Sequence, residues 1–374
     1  MNNMKTRLIL ITTFLIALFC GEVQPAAGHP ALFDEDDLME ISIQIDLDEV
    51  CRPREMTGCD YVSSQMTYQE NGEALTIPID FIVRGGWRSL SKNCQVPLLF
   101  IRFPEQETRG TVFEGQESLP LTTHCGRTNL LDEASSSPHY RTYEQFLLKE
   151  YLAYRLYNQI SDLSLRVRLL KVRYDEPGKP GKGYTYYAFF TEHFNSLAAR
   201  SNKKLLARKH FDHERLNLHL ADKVALFQYM IGNTDWSIAR QRNTILLQGA
   251  DGVQSPVPYD LDMSGLVNPP YGGPPPSLPI TEVTERYFLG YCHPQADWNA
   301  LFSEFLTGKG DVLAEVPTVP GLYKKEKSRA RRYLEQFYKI LNSPTRRQKL
   351  IIDTCQPWPP SQSDDHMAPA NLEK

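Results

Sequence analysis

The stretch Gln228-Tyr-Met-Ile-Gly-Asn-Thr-Asp-Trp-Ser-Ile-Ala-Arg-Gln-Arg-Asn243, with Pro258-Tyr-Asp-Leu-Asp-Met-Ser-Gly265 after it, decides how this chain of 374 residues is read. Just upstream, Leu218, Leu220, Val224, Phe227 and Met230 recur at helical spacing, which predicts a helix over 216–231 that stops at Gly232. A loop then presents Asn233, Asp235 and Asn243 beside an apolar strand over 243–247. Gly249-Ala-Asp-Gly252 reverses the chain, and a second strand over 257–261 leaves Asp260 and Asp262 at its exit. Helix, polar loop and hairpin thereby gather carboxylates and a carboxamide at one edge. Phosphoryl transfer uses such a set. One carboxylate orients or deprotonates the acceptor hydroxyl, while an Asn and a second carboxylate hold Mg²⁺ on the phosphates.

Upstream the pattern is mostly period two. Ile41, Ile43, Ile45 and Leu47 alternate with polar residues, as do Leu75, Ile77, Ile79, Phe81 and Val83 after the Asn71-Gly72 turn signal. Short strands over 98–103, 110–113 and 119–123 complete a largely antiparallel sheet over 41–126. The acidic stretch 29–40 reads as a loose leader, and 133–138 as a linker. A helix follows over 143–160, then strands over 165–174 and 184–191. Further helices are expected over 198–206, 301–306, 333–341 and 346–355, with a Pro/Gly-rich loop over 268–279 before the last three. The basic run Lys324 to Arg332 reads as a solvated helix face. The class is therefore α+β.

Composition sets the limits. Lys and Arg number 41 against 45 Asp and Glu, a net charge of −4, which argues against nucleic acid as the main partner. Hydrophobic residues at 41% and charged residues at 23% are ordinary globular usage. Residues 1–28 read as a secretory signal: Lys5 and Arg7, an uncharged apolar run over 8–20, then Ala26-Ala27-Gly28. That run is too short to span a bilayer, so no membrane span is expected after its removal. Six cysteines remain, and an even number in an exported chain implies disulfides. Fifteen pairings are formally open; pairing within structural units gives Cys51–Cys59, Cys94–Cys125 and Cys292–Cys355. Neither a G-x-S-x-G elbow nor an H-E-x-x-H helix is present, which removes serine-hydrolase and zincin chemistry.

The 228–265 region resembles the catalytic core of atypical protein-kinase-like families, the secreted CotH type and the HipA type. The resemblance implies a bilobal fold, with a β-rich N-lobe over 29–135 and a kinase-like remainder with a helical C-lobe over 136–355; by composition, 356–374 reads as a disordered tail. It implies ATP with Mg²⁺ (or Mn²⁺) and an acceptor hydroxyl on a protein or a carbohydrate. Asp235 then matches the catalytic aspartate, Asn243 the metal-binding asparagine, and Asp260 or Asp262 the metal-binding aspartate; the choice between the last two stays open. Leu148-Lys-Glu-Tyr-Leu-Ala-Tyr-Arg155 resembles the helix that supplies the glutamate partner of the nucleotide lysine, here Glu150. Phe189-Phe-Thr-Glu-His193, with Glu192, resembles the hinge that receives adenine. Arg84-Gly85-Gly86 resembles an Arg-Gly element at the start of CotH-type domains.

Two features depart from that pattern. Asp235 and Asn243 lie eight apart, against five in ordinary protein kinases, so the loop must bulge. The strand before the Glu150 helix, Leu119 to Cys125, carries no lysine and has Pro120 in its place. Lys92, Arg102, Arg109 and Arg127 are the other cations in reach along the sequence. Taken singly, each acid also fits a turn, cap or solvated position; only their order as a set points to chemistry. Two other functions therefore stand beside the phosphotransferase: a non-catalytic, pseudokinase-like secreted binding protein, and a metal-dependent phosphoesterase.

Overall fold

A computed structural model describes residues 31–47, 49–126, 138–179, 181, 183–208 and 210–360, with side chains from 143 onward in the helix that begins at 138. The expected signal and the linker at 133–137 lie outside the described residues. The strands are β1 (Met39–Gln44), β2 (Val62–Glu70), β3 (Glu73–Val83), β4 (Leu99–Arg102), β5 (Ser118–Thr123), β6 (Val167–Asp175), β7 (Gly183–Thr191), β8 (Lys204–Leu205), β9 (Thr244–Gln248) and β10 (Gln254–Pro258). The helices are α1 (Glu105–Thr108), α2 (Pro138–Asn158), α3 (Phe194–Arg200), α4 (Leu218–Ile231), α5 (Trp298–Thr307), α6 (Lys309–Thr318), α7 (Lys324–Leu341) and α8 (Pro344–Leu350).

Seven strands close into a barrel in the order β1-β2-β3-β4-β5-β7-β6. The β2–β3 hairpin runs from Val62↔Phe81 to Glu70↔Glu73. Its turn puts Asn71 at φ +53° and Gly72 at φ +83°, the left-handed pair that a two-residue hairpin turn demands. Alternation sends Ile77, Ile79, Phe81 and Val83 inward, where they meet Ile41, Ile43, Met66, Leu121 and Val172. Residues 110–113 form turns instead of the expected strand. Their Phe113 is fully buried, stacked on Phe103 at 5.0–5.1 Å from its aromatic neighbours Tyr68 and Phe103.

The kinase-like bilobal fold is overturned. Among the described residues, a closed seven-stranded barrel with 31% helix and 24% strand does not match two lobes with a helical C-lobe. The closing contact is the parallel pairing of β1 with β6, from Met39↔Leu170 to Gln44↔Asp175. The stretch read as a loose leader makes that closure firm. Leu32 is fully buried, Asp34 pairs with Arg166, Asp36 with Arg155, and Glu35 and Asp37 with Arg168. Such long-range parallel pairing has no local sequence signature, because a half-buried strand alternates in the same way whichever neighbour it takes.

The second core packs α2, α4, α5, α6 and α7 with the sheet β10-β9-β8. Most of α4 is buried, from Ala221 to Ile231 with the exception of Lys223. The helix α7 buries Ala330, Leu334, Phe337, Tyr338 and Leu341 and turns its basic residues outward, the solvated face expected of that run. Tyr291 bridges to Gln356, and Trp358 packs on His293. The disulfides are Cys51–Cys59, Cys94–Cys125 and Cys292–Cys355. Among the described residues no helix is long and apolar enough to cross a membrane.

Candidate functional site

The site starts where α4 stops. Gly232 takes φ +67°, and its N–H closes on the carbonyls of Gln228 and Tyr229. A Cβ there would lie 2.0 Å from the Tyr333 hydroxyl, so the position needs glycine for space as well as for backbone. The Asn233 Oδ1 accepts from the Asp235 N–H at 2.9 Å, an Asx turn that presents the Asp235 carboxylate. Ser237 and Arg242 then pair through their backbones, with Gln241 at φ +51° and Asn243 at φ +46°. This small reversal absorbs the long Asp235-to-Asn243 spacing. The Asn243 Nδ2 returns to donate to the Asp235 carbonyl at 2.7 Å and its Oδ2 at 3.0 Å.

The second half of the site hangs on the exit of β10. Tyr259 N–H donates to the Asn243 carbonyl at 3.0 Å, locking strand exit to loop. Asp260 follows at φ +55°, and its N–H donates to the Tyr154 hydroxyl of α2 at 2.8 Å. Asp262 is buried and accepts from the Tyr271 hydroxyl at 3.1 Å.

Arg88 joins the halves. It sits in a short 3₁₀ turn, Trp87–Ser89, between β3 and β4. Its guanidinium reaches Glu150 of α2 at 3.3 Å, Asp260 at 2.6 Å and Asp262 at 3.6 Å. Arg84, on the same connection, donates to the Leu99 carbonyl and the Thr122 hydroxyl, both at 3.1 Å. Asp235 has its own cation, Arg242, at 3.3 Å.

The electrostatics follow from burial. Burial raises Glu150 above the usual carboxylate range; Arg88 pulls it back, and Asp262 and Asp260 push it further up. Asp262 is raised by burial first; Arg88 and the Tyr271 hydroxyl pull it back, and Asp260 and Asp235 push it up. Asp235 is raised by burial, lowered by Arg242 and raised again by Asp260. Burial lowers Arg88, yet Asp262, Glu150 and Asp260 hold it well above its ordinary value. Burial and mutual repulsion thus favour the neutral forms of Glu150 and Asp262 beyond what Arg88 offsets.

Five of the six predicted residues thus share one region. Glu150, Asp260 and Asp262 meet at Arg88, and Asp235 and Asn243 are bonded to each other beside Asp260. Glu192 is elsewhere in its bonding. Its carboxylate takes Arg200 at 2.7 and 3.0 Å and the Arg166 N–H at 3.1 Å, and its own N–H donates to the Arg166 carbonyl. The cations proposed along the sequence are also elsewhere: Arg102 pairs with Asp80, Arg109 with Glu105, and Lys92 is exposed. Arg127 is outside the described residues. The sequence reading missed Arg88, Tyr154 and Tyr271. The signal was nearby, since Arg88 stands two residues beyond Arg84-Gly85-Gly86.

All oxygen donors here are hard, as Mg²⁺ requires. Among the described residues, however, no three His, Cys, Asp or Glu side chains are arranged to hold a metal ion. Comparison of the chain with family models, curated proteins and solved structures finds no match.

Proposed function

We propose that this chain is an exported phosphotransferase that moves the γ-phosphoryl group of ATP to a hydroxyl on a protein or a carbohydrate. The observation that carries the reading is the convergence of buried Glu150 and Asp262 and half-exposed Asp260 on Arg88, with the Asp235–Asn243 pair beside it. Buried carboxylates held above their ordinary pKa favour an added cation. Mg²⁺ is commonly held by one or two carboxylates and completed by water and phosphate oxygens, so the residues present fit it without a three-acid cage. Asp262, Asp260 and the Asn243 Oδ1 are the ligands offered. Bound there, Mg²⁺ (or Mn²⁺) would neutralise phosphate charge.

The chain's own residues do the rest. Arg88, and Arg84 behind it, supply the positive charge that Pro120 denies to β5, and Glu150 orients Arg88. Asp235 hydrogen-bonds the acceptor hydroxyl and takes its proton as the new P–O bond forms. The bond from the γ-phosphorus to the bridging oxygen breaks, and ADP leaves with that electron pair. The raised pKa of Asp235 makes it a stronger proton acceptor than a solvated carboxylate. The three disulfides support an oxidising, extracytoplasmic compartment.

A second reading is a non-catalytic secreted binding protein. The Arg88 network favours it, because one guanidinium already satisfies three acids, as in a purely structural ion cluster. The test is transfer from γ-labelled ATP in Mg²⁺. Asp235→Asn should lower the rate at least about 100-fold and leave the thermal midpoint near that of wild type. If wild type neither transfers phosphate nor gains thermal stability from Mg²⁺-ATP, the binding-protein reading replaces the enzyme.

A further inference from the structure

The aromatic pair at the mouth of the site has no part in the chemistry above. Trp87 immediately precedes Arg88 and keeps 37% of its surface exposed, among the few large apolar side chains so open. Its ring lies 5.0 Å from that of Tyr271, tilted by 38°, and the Tyr271 hydroxyl is on Asp262 at 3.1 Å. An exposed aromatic surface therefore adjoins an acid of the cluster. Beside it, Asp260 is the most open of the three acids around Arg88, with 42% of its side chain exposed.

The backbone that carries Trp87 is held in place. The Trp87 carbonyl accepts from Asn93 Nδ2 at 2.9 Å, and Arg52 bonds the carbonyls of Ser89 at 3.2 Å and Cys94 at 2.9 Å. Cys94 is itself tied to Cys125. A pre-set surface of this kind binds with little ordering cost. The apolar half matches a flat C–H face, and the carboxylates beside it accept hydrogen bonds from hydroxyl groups. A pyranose ring presents both on one small body. A serine or threonine side chain needs no aromatic surface; a nucleotide offers a purine face and ribose hydroxyls, and the KM for ATP separates it from a saccharide.

We infer that the acceptor is a carbohydrate whose ring packs on Trp87 and Tyr271 and whose hydroxyl faces Asp235. This rests on the phosphotransferase reading and narrows it to one acceptor class. The mature chain is given γ-labelled ATP and Mg²⁺ with either a panel of neutral di- and trisaccharides or dephosphorylated casein. Label enters a saccharide, and Trp87→Ala raises the KM for that saccharide about tenfold, with Trp87→Phe recovering most of the loss. Saturation-transfer NMR on the same saccharides, read without ATP, shows contact with wild type that Trp87→Ala removes. Label in casein alone overturns the carbohydrate while leaving phosphotransfer intact. A Trp87→Ala effect on the KM for ATP, with none on the saccharide, also overturns it and makes the pair a nucleobase rest. Absence of transfer and of Mg²⁺-ATP stabilisation, with saccharide contact retained, removes the phosphotransferase reading. The sugar-binding surface then stands alone; loss of that contact as well ends both.

Discussion

Arg88 is the residue on which the centre turns. Three acids from α2 and from the exit of β10 share its guanidinium, and Glu150 and Asp262 could not be buried beside each other as carboxylates without it. Removing one partner of a buried ion pair leaves charge uncompensated, so Arg88→Ala should cost about 3–5 kcal/mol. Urea unfolding measures this; a cost below about 1 kcal/mol would mean the acids find other relief. The pH dependence follows by sign. A carboxyl raised by folding contributes stability while protonated, and this is lost as pH rises through its folded pKa. Glu150, Asp262 and Asp222, the last pushed up to about 6 by burial, all act in this sense. Stability should fall as pH climbs above the ordinary carboxylate range near 4, and Glu150→Gln with Asp262→Asn should flatten the fall. Equal slopes in wild type and double variant would contradict the assignment. The nearness of Asp235, Asn243 and Asp260 was legible from their order along the chain. Arg88 was not, since an arginine in a polar connection has the same local signature whether it is buried against acids or solvated.

At the level of elements, α2 lies in the helical core, packs against β6 and β7 of the barrel, and delivers Glu150. Its far end is held by Arg155, which pairs with exposed Asp36 and with largely buried Glu315 of α6 at 3.3 Å. Burial separates the two contacts. Asp36→Asn should cost no more than about 1 kcal/mol, as exposed pairs do. Glu315→Gln, which leaves Arg155 short of a partner in a drier setting, should cost more, about 1–3 kcal/mol. Denaturant midpoints decide this, and equal costs would show that burial does not set the rank. Most strands and several helices were legible from period alone. What failed were positions whose structure is set by distant partners. The acidic stretch before β1 looked loose because its arginines lie more than 110 positions away. Residues 110–113 looked like a strand because Phe113 is as apolar as any strand residue, although it fills the barrel from a turn.

For the whole molecule, barrel closure distinguishes this protein from the two-lobed arrangement its catalytic-looking segment implied. The helix, loop and hairpin of the segment match the structure and the fold expected around them does not, because a motif constrains a site more than an architecture. The disulfides were legible because close pairing within units happened to coincide with the folded geometry. Cys292–Cys355 spans 63 residues and fastens the end of the helical half. Cys292→Ser with Cys355→Ser should lower stability by about 2–4 kcal/mol, read from urea unfolding; no change would mean that Trp358 and the Tyr291–Gln356 bridge hold the end unaided. On the proposed reading, the Arg88-centred acids hold a metal-nucleotide. Calorimetric titration of the chain with ATP, in Mg²⁺ and then in EDTA, decides this. One ATP per chain should bind in Mg²⁺, with the heat lost in EDTA and in Asp262→Asn. No binding in Mg²⁺, or binding indifferent to both EDTA and Asp262→Asn, would contradict it.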